Sequence, residues 1–462
     1  AALTLSLFMT LLINACSDDD PPLPDNLATF TASAVGLEDD ADEATIAVTL
    51  TRAVDAATTV TIDLTATGVT YGTDFTTDPA ASGNILTITI PAAGNTASFK
   101  VVRSEGVFLT GDEKVTFKIS SVGEPLLIGT TAEVTLSFSS IVSEGSELTL
   151  NGLIGSEAGS SAGNSVFVDF SNNQQTPVAR SSWDLGFYMG DDFRVILNNT
   201  TTATARVIDK NDLTTVVASD STPASNWSLG FDAASFALVD NVLGDLSQTV
   251  IASVSATDAD NKVYIINRGT GGSIAARPWY KVRILRKSDG YTLQYARINE
   301  TTYKSIDVTK DSNYTFKYIS FDNGAVSVAP EKDQWDIEWT YAVYETDNGG
   351  TMIPYAFSDL VYINAKGGVT AAQILNTESV TYDTFTSSNL TGIAFASNID
   401  VIGSNWRVTS PAASAGVKTD RFYLVKDGAG NIYKLKFVSF HPNDGGTRGK
   451  PVVKYELVQK AS

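Results

Sequence analysis

Ile319 to Trp339 reads ISFDNGAVSVAPEKDQWDIEW, and Val168 to Phe187, VDFSNNQQTPVARSSWDLGF, is an earlier version of the same pattern. Each runs as a strand, a polar turn and a second strand that opens on Trp-Asp-aliphatic. Phe170 stands 13 residues before Trp183 and Phe321 stands 14 before Trp335, so one gap aligns the copies. The echo then continues in order, which separates a duplicated domain from a shared strand motif. Val195-Ile196-Leu197-Asn198 answers Val361-Tyr362-Ile363-Asn364, and Val263-Tyr264-Ile265-Ile266 answers Phe422-Tyr423-Leu424-Val425. Tyr280 to Leu285 answers Tyr433 to Val438, and Leu293-Gln294-Tyr295 answers Val453-Lys454-Tyr455. Two tandem domains are expected, 146–300 and 311–462, each of ordinary domain size.

The chain of 462 residues is long enough for about three domains, and 43% hydrophobic content suffices for several cores. Its formal charge is −20, and nine acidic residues precede the first basic one, Arg52. A polyphosphate partner would meet repulsion, so nucleic-acid binding is disfavoured.

Ala1 to Ala15, AALTLSLFMTLLINA, is uncharged and apolar, shorter than the ~20 residues of a bilayer span but suited to the core of a signal peptide. A basic leader is expected upstream of Ala1. Cys16 is the sole cysteine, so no intramolecular disulfide is possible. Leu12-Ile13-Asn14-Ala15-Cys16 resembles a bacterial lipobox, which implies a lipidated Cys16 at the mature amino terminus and a membrane partner reached through acyl chains. The acidic Ser17-Asp18-Asp19-Asp20 resembles the signal that places lipoproteins on the outer face of the outer membrane. With Pro21-Pro22-Leu23-Pro24 it forms a stiff tether over 16–26.

From Leu27 to Ile141 the apolar residues alternate at period two, as in Ile46/Val48/Leu50, Val60/Ile62/Leu64, Leu86/Ile88/Ile90 and Val115/Phe117/Ile119. Six or seven short strands broken by Gly, Asn, Asp and Pro turns predict a β-sandwich. Tyr71-Gly72-Thr73-Asp74-Phe75, Gly83 to Ile88 and Asp112 to Phe117 resemble the Calx-beta family in order and spacing. That resemblance implies a Ca²⁺ site of clustered carboxylates, for which Asp74, Glu105, Asp112 and Glu113 are the candidates. Calcium takes 6 to 8 oxygen ligands, so clustered acids suit it. The run after Phe99 to Val102 departs from the family, reading Arg103-Ser104-Glu105-Gly106 with a cation inside it.

In the duplicated region, Trp183-Asp184-Leu185, Asn198, Val263 to Arg268 and Trp279 to Ile284 resemble the HmuY family. The second copy repeats the succession with Trp335-Asp336-Ile337, Tyr362-Ile363-Asn364, Phe422 to Gly428 and Tyr433 to Phe437. The resemblance spans about 165–460. It implies an all-β fold, a surface lipoprotein, haem capture, and transfer of haem to an outer-membrane receptor. Haem iron takes His, Met, Cys or Tyr axially. The paired histidines of known members are missing, for His441 is the only histidine, and Met189 and Met352 are the only methionines beyond the leader. These three are the haem-ligand candidates. An adhesion or structural module that presents loops to a protein or glycan, without haem, stands as the alternative.

Trp183 and Trp335 read as core anchors whose indoles bury large apolar area. Asp184 and Asp336 are expected to bond a turn. The Thr-, Ala- and Gly-rich loops after Asn198 and Asn364 are the expected ligand-facing segments, since binding residues concentrate on loops held by a rigid scaffold. Phe236, Val239, Leu243 and Leu246 are spaced for a short helix over Ala233 to Leu246. The sequence contains no HExxH or Walker motif, and the expectation is a protein without catalytic activity.

Overall fold

The structure, a computed structural model, describes residues 24–461, so the expected leader and Cys16 lie outside the described residues. The fold is all-β, with short 3₁₀ turns between strands. The chain divides into one unit ending at Ile141 and another beginning at Val142.

The first unit is a sandwich of two five-stranded sheets. One is ordered Phe75–Asp78, Thr96–Arg103, Glu43–Leu50, Leu27–Phe30, Leu127–Ile128, and the other Ala34–Leu37, Glu133–Phe138, Lys114–Val122, Thr58–Thr67, Ile85–Ile90. The alternation read from the sequence is the alternation of burial. Val60, Ile62 and Leu64 point into the core while Asp63 points out, and Val115, Phe117 and Ile119 do the same opposite them. Each such side chain contributes ~1.5–3 kcal/mol through removal from water. Four strands of two to four residues escape the periodic reading, because so short a run carries no visible alternation.

The second unit contains both copies, and its strand pairing corrects the expected division between 146–300 and 311–462. The hairpin of the first copy, Asn164–Asp169 with Gln174–Ala179, pairs with Ile337–Asp347 of the second. The hairpin of the second copy, Phe316–Ser320 with Gly324–Val326, pairs with Leu185–Tyr188 of the first. The registers match: Val168 lies opposite Ile337 as Ile319 lies opposite Leu185. The copies have thus exchanged hairpins. The strand ahead of each hairpin closes the opposite sheet in the same way, Gly145–Thr149 pairing with Val452–Gln459 and Lys304–Thr309 with Gly290–Arg297.

Two lobes result. Lobe 1 is made of the contiguous strands from Leu185 to Val326, in sheets of four and five. Lobe 2 joins the segment from Gly145 to Ala179 to everything from Ile337 onward, in sheets of five and four and a two-stranded pair, Arg407–Val408 with Gly416–Val417. Phe321 therefore lies in the lobe 1 core, against Tyr280 at 4.5 Å and Tyr295 at 5.7 Å. Its counterpart Phe170 lies in the lobe 2 core against Tyr455 at 4.7 Å and Tyr433 at 5.7 Å. The repeat is visible in sequence, but the copy with which a strand pairs is decided by non-local contacts.

The helix expected over Ala233 to Leu246 is a 3₁₀ segment, Ala233–Leu238. Asp232 caps it by accepting the Ser235 N–H at 3.0 Å, and Val239 is already extended. Phe236, Val239 and Val242 instead pack on Val343 of lobe 2.

Candidate functional site

The Trp-Asp motif is the fastener of the exchange. Asp184 accepts the backbone N–H of Phe321 at 2.8 Å, and Asp336 accepts that of Phe170 at 2.7 Å. The aspartate N–H groups donate in turn to Ile319 O at 2.9 Å and Val168 O at 2.7 Å. The turn that each aspartate bonds thus belongs to the hairpin of the other copy. Asn198 and Asn364 complete the device. The Asn198 amide donates to Trp183 O at 2.7 Å and to Arg180 O at 2.8 Å, and that of Asn364 donates to Trp335 O at 3.0 Å and to Lys332 O at 2.7 Å. Each asparagine also caps the 3₁₀ turn that follows, so the loop after it is fixed relative to the tryptophan.

The two fasteners differ in charge. Arg268, buried, donates to Asp184 through Nε at 2.7 Å and Nη2 at 2.9 Å, and to Asp322 at 2.7 Å. The residue matching Arg268 in the second copy is Asp427. There Asp336 is buried beside Asp169 and Asp427, and burial followed by the like charge of Asp169 pushes its carboxyl well above the ordinary range.

Fixing the two tryptophans builds the seam between lobes. Phe167 meets Trp335 edge-on at 5.0 Å, and its counterpart Tyr318 meets Trp183 edge-on at 4.9 Å. Against this cluster lies a cavity of about 200 Å³ lined by both lobes, with Trp183, Ile196 and Tyr318 on one side and Trp335, Glu338 and Tyr362 on the other. Asn199, Thr200, Ala365 and Lys366 also line it, so the loops after Asn198 and Asn364 do reach its wall. Asp240 accepts the N–H groups of Leu197 at 2.6 Å and Val250 at 2.9 Å, while burial raises it to about 6. Burial raises Glu338 to about 7, and holds the phenols of Tyr318 and Tyr362 protonated.

The haem-ligand candidates are not brought together. His441 caps its own turn, its Nδ1 accepting the Asn443 N–H at 3.3 Å. Met352 is 44% exposed at the end of a hairpin strand, and Met189 is a lobe 1 core residue whose sulfur accepts the Asp311 N–H at 3.3 Å. None of the three lines the cavity. The calcium candidates also stay apart from that chemistry. Asp74 accepts the Thr70 N–H at 2.7 Å, and Glu113 accepts from Thr110 N–H at 3.0 Å, Thr110 Oγ1 at 2.9 Å and Gly111 N–H at 2.8 Å. Glu105 and Asp112 are exposed, and among the described residues no three His, Cys, Asp or Glu side chains group to hold a metal ion. Phe167, Tyr318, Glu338 and Tyr362 were missed by sequence reading. The signal for the first pair was their shared position three residues before Phe170 and Phe321.

The fold and seam define an all-β protein built from a tandem repeat with exchanged hairpins and an aromatic cavity between lobes. The family model for the HmuY protein matches residues 161–318 and again 312–455, together more than half of the chain, and the chain belongs to the HmuY family. No curated protein matches. Among solved structures, the apo form of the Calx CBD1 domain is similar at 13% identity, covering 25% of this chain and 96% of that one, with a TM-score of 0.22. The CBD12 calcium-binding domain of CALX1.1 is similar at 12% identity, covering 37% and 78%, with a TM-score of 0.21. A two-domain protein of unknown function from Bacteroides fragilis is similar at 12% identity, covering 40% and 70%, with a TM-score of 0.19. Among the described residues no helix is long and apolar enough to cross a membrane.

Proposed function

We propose that this chain is a non-catalytic ligand-binding protein, held at the outer face of a bacterial outer membrane by lipid on Cys16, that captures a compact molecule with an apolar body in the seam cavity. The observation that carries the reading is the convergence of both Trp-Asp motifs on one aromatic cavity. Family membership supports a surface binding role. A cavity of about 200 Å³ suits a ligand of one or two rings, since ~150 Å³ accepts benzene and drug-sized ligands need ~300–1,000 Å³. Haem does not fit these residues. A porphyrin exceeds that volume, no His, Met or Cys lines the wall, and the two wall tyrosines are held as neutral phenols.

Titration with 2-phenylethanol, followed by tryptophan fluorescence, tests the reading. A saturable change that is altered in Trp183→Phe and Trp335→Phe is expected, together with a hemin Soret band that stays at its free position. No saturable response, or a Soret shift abolished by His441→Ala or Met352→Ala, would overturn it.

A further inference from the structure

We infer that the seam cavity selects a compact organic amine, bound as its ammonium ion, with Glu338 and Tyr362 receiving the charged head and the two motif tryptophans covering the apolar body. The inference rests on the binding role of the cavity proposed above and names the ligand class.

Glu338 stands in the cavity wall opposite Phe167 across the exchanged strand pair. The hydroxyls beside it, Ser165 and Thr340, are neutral and bond each other at 2.6 Å, and no Lys or Arg pairs with it among the described residues. Burial disfavours its charge, and a bound cation would reverse that preference. Tyr362 is 7% exposed, and its hydroxyl has no hydrogen-bond partner although it is buried in the same wall. Buried polar atoms in native folds are nearly always bonded, so an orphaned hydroxyl beside an acid that lacks a cationic partner calls for a donor from outside. An ammonium supplies two N–H groups, one for each oxygen.

The remaining wall suits a cation as well. Trp183, Trp335 and Tyr318 present aromatic surface, which attracts cations as well as apolar groups. Asp240 adds negative charge, but both its oxygens already serve backbone N–H groups, so it acts at a distance. Lys366, the one basic residue of the wall, is exposed. The position matching Glu338 in the first copy is Gly186, where a side chain would strike Ile196 and Tyr318. The seam thus holds one such acid, and one charged head is accommodated.

The test uses three probes with one phenyl body, measured by calorimetry on the full chain at pH 8: 2-phenylethylamine, 2-phenylethanol and phenylacetate. An alkylamine is charged at that pH. The amine is expected to bind about tenfold more tightly than the alcohol, equivalent to ~1.4 kcal/mol, and phenylacetate more weakly than either. Glu338→Gln should erase the preference for amine over alcohol, and Tyr362→Phe should weaken the amine by a smaller factor. Unchanged melting temperatures identify folded variants. Equal affinity for amine and alcohol, or a preference that survives Glu338→Gln, overturns the inference while leaving the cavity reading intact. No binding by any probe overturns both.

Discussion

Asp184 and Asp336 occupy the same position of the repeat and make the same hydrogen bond, yet replacing each by Asn should have opposite effects. At Asp184 the change removes the charge facing Arg268, and both side chains are 1% exposed. Removing one partner of a buried ion pair costs ~3–5 kcal/mol. Arg268 keeps Asp322 at 2.7 Å, but that carboxylate is half exposed, so a loss of about 3 kcal/mol is expected. At Asp336 no cation is lost, and Asn still accepts the Phe170 N–H while the repulsion from Asp169 and Asp427 disappears. Asp336→Asn should therefore be neutral or stabilising at pH 7. The sign with pH follows from linkage. The folded carboxyl titrates above its unfolded value of 3.8, so the native state binds more protons in that window and wild-type stability falls as pH rises through it. The advantage of Asp336→Asn should grow over the same range. All six tryptophans lie beyond Val142, so urea unfolding followed by tryptophan fluorescence reports the second unit alone. The reasoning predicts a lowered midpoint for Asp184→Asn and an unchanged or raised one for Asp336→Asn, at similar slope. Equal losses in the two variants would refute it.

Phe321→Ala should cost the second unit ~3–5 kcal/mol, although Phe321 belongs to the copy whose later strands build the other lobe, and urea unfolding checks it. A fragment 180–334, which keeps lobe 1 with its exchanged hairpin, should melt cooperatively and at a higher temperature than 146–300, which lacks Phe321 and the Lys304–Thr309 strand; the reverse order in calorimetry would count against the exchange. In a lipoprotein-processing host the wild-type chain should partition into membranes and Cys16→Ala should not, as read by membrane fractionation.

The sequence showed the strands better than their partners. In the first unit, Val60, Ile62, Phe117 and Leu136 alternate with polar residues because one face of each sheet is buried, and that pattern survives in the linear text. In the second unit, the order of motifs revealed the repeat, but hairpin exchange leaves no local trace: Phe170 and Phe321 are equivalent in sequence and bury themselves in opposite lobes. Asp184 and Asp336 looked alike until the structure put Arg268 beside one and Asp427 beside the other. The cavity escaped notice for the same reason. Its wall draws Trp183 from one copy and Glu338 from the other, and single-copy patterns cannot show a site made by their meeting.

Binding stoichiometry tests the central claim most directly. A site carried by each repeat would bind two ligands per chain, whereas a cavity formed where the two copies meet binds one. Calorimetric titration of the full chain with 2-phenylethylamine should give one site per chain, and Val242→Phe, which fills the cavity from the Val239 to Leu246 loop, should abolish it without lowering the melting temperature. Two sites per chain, or one site that persists in Val242→Phe, would contradict the account.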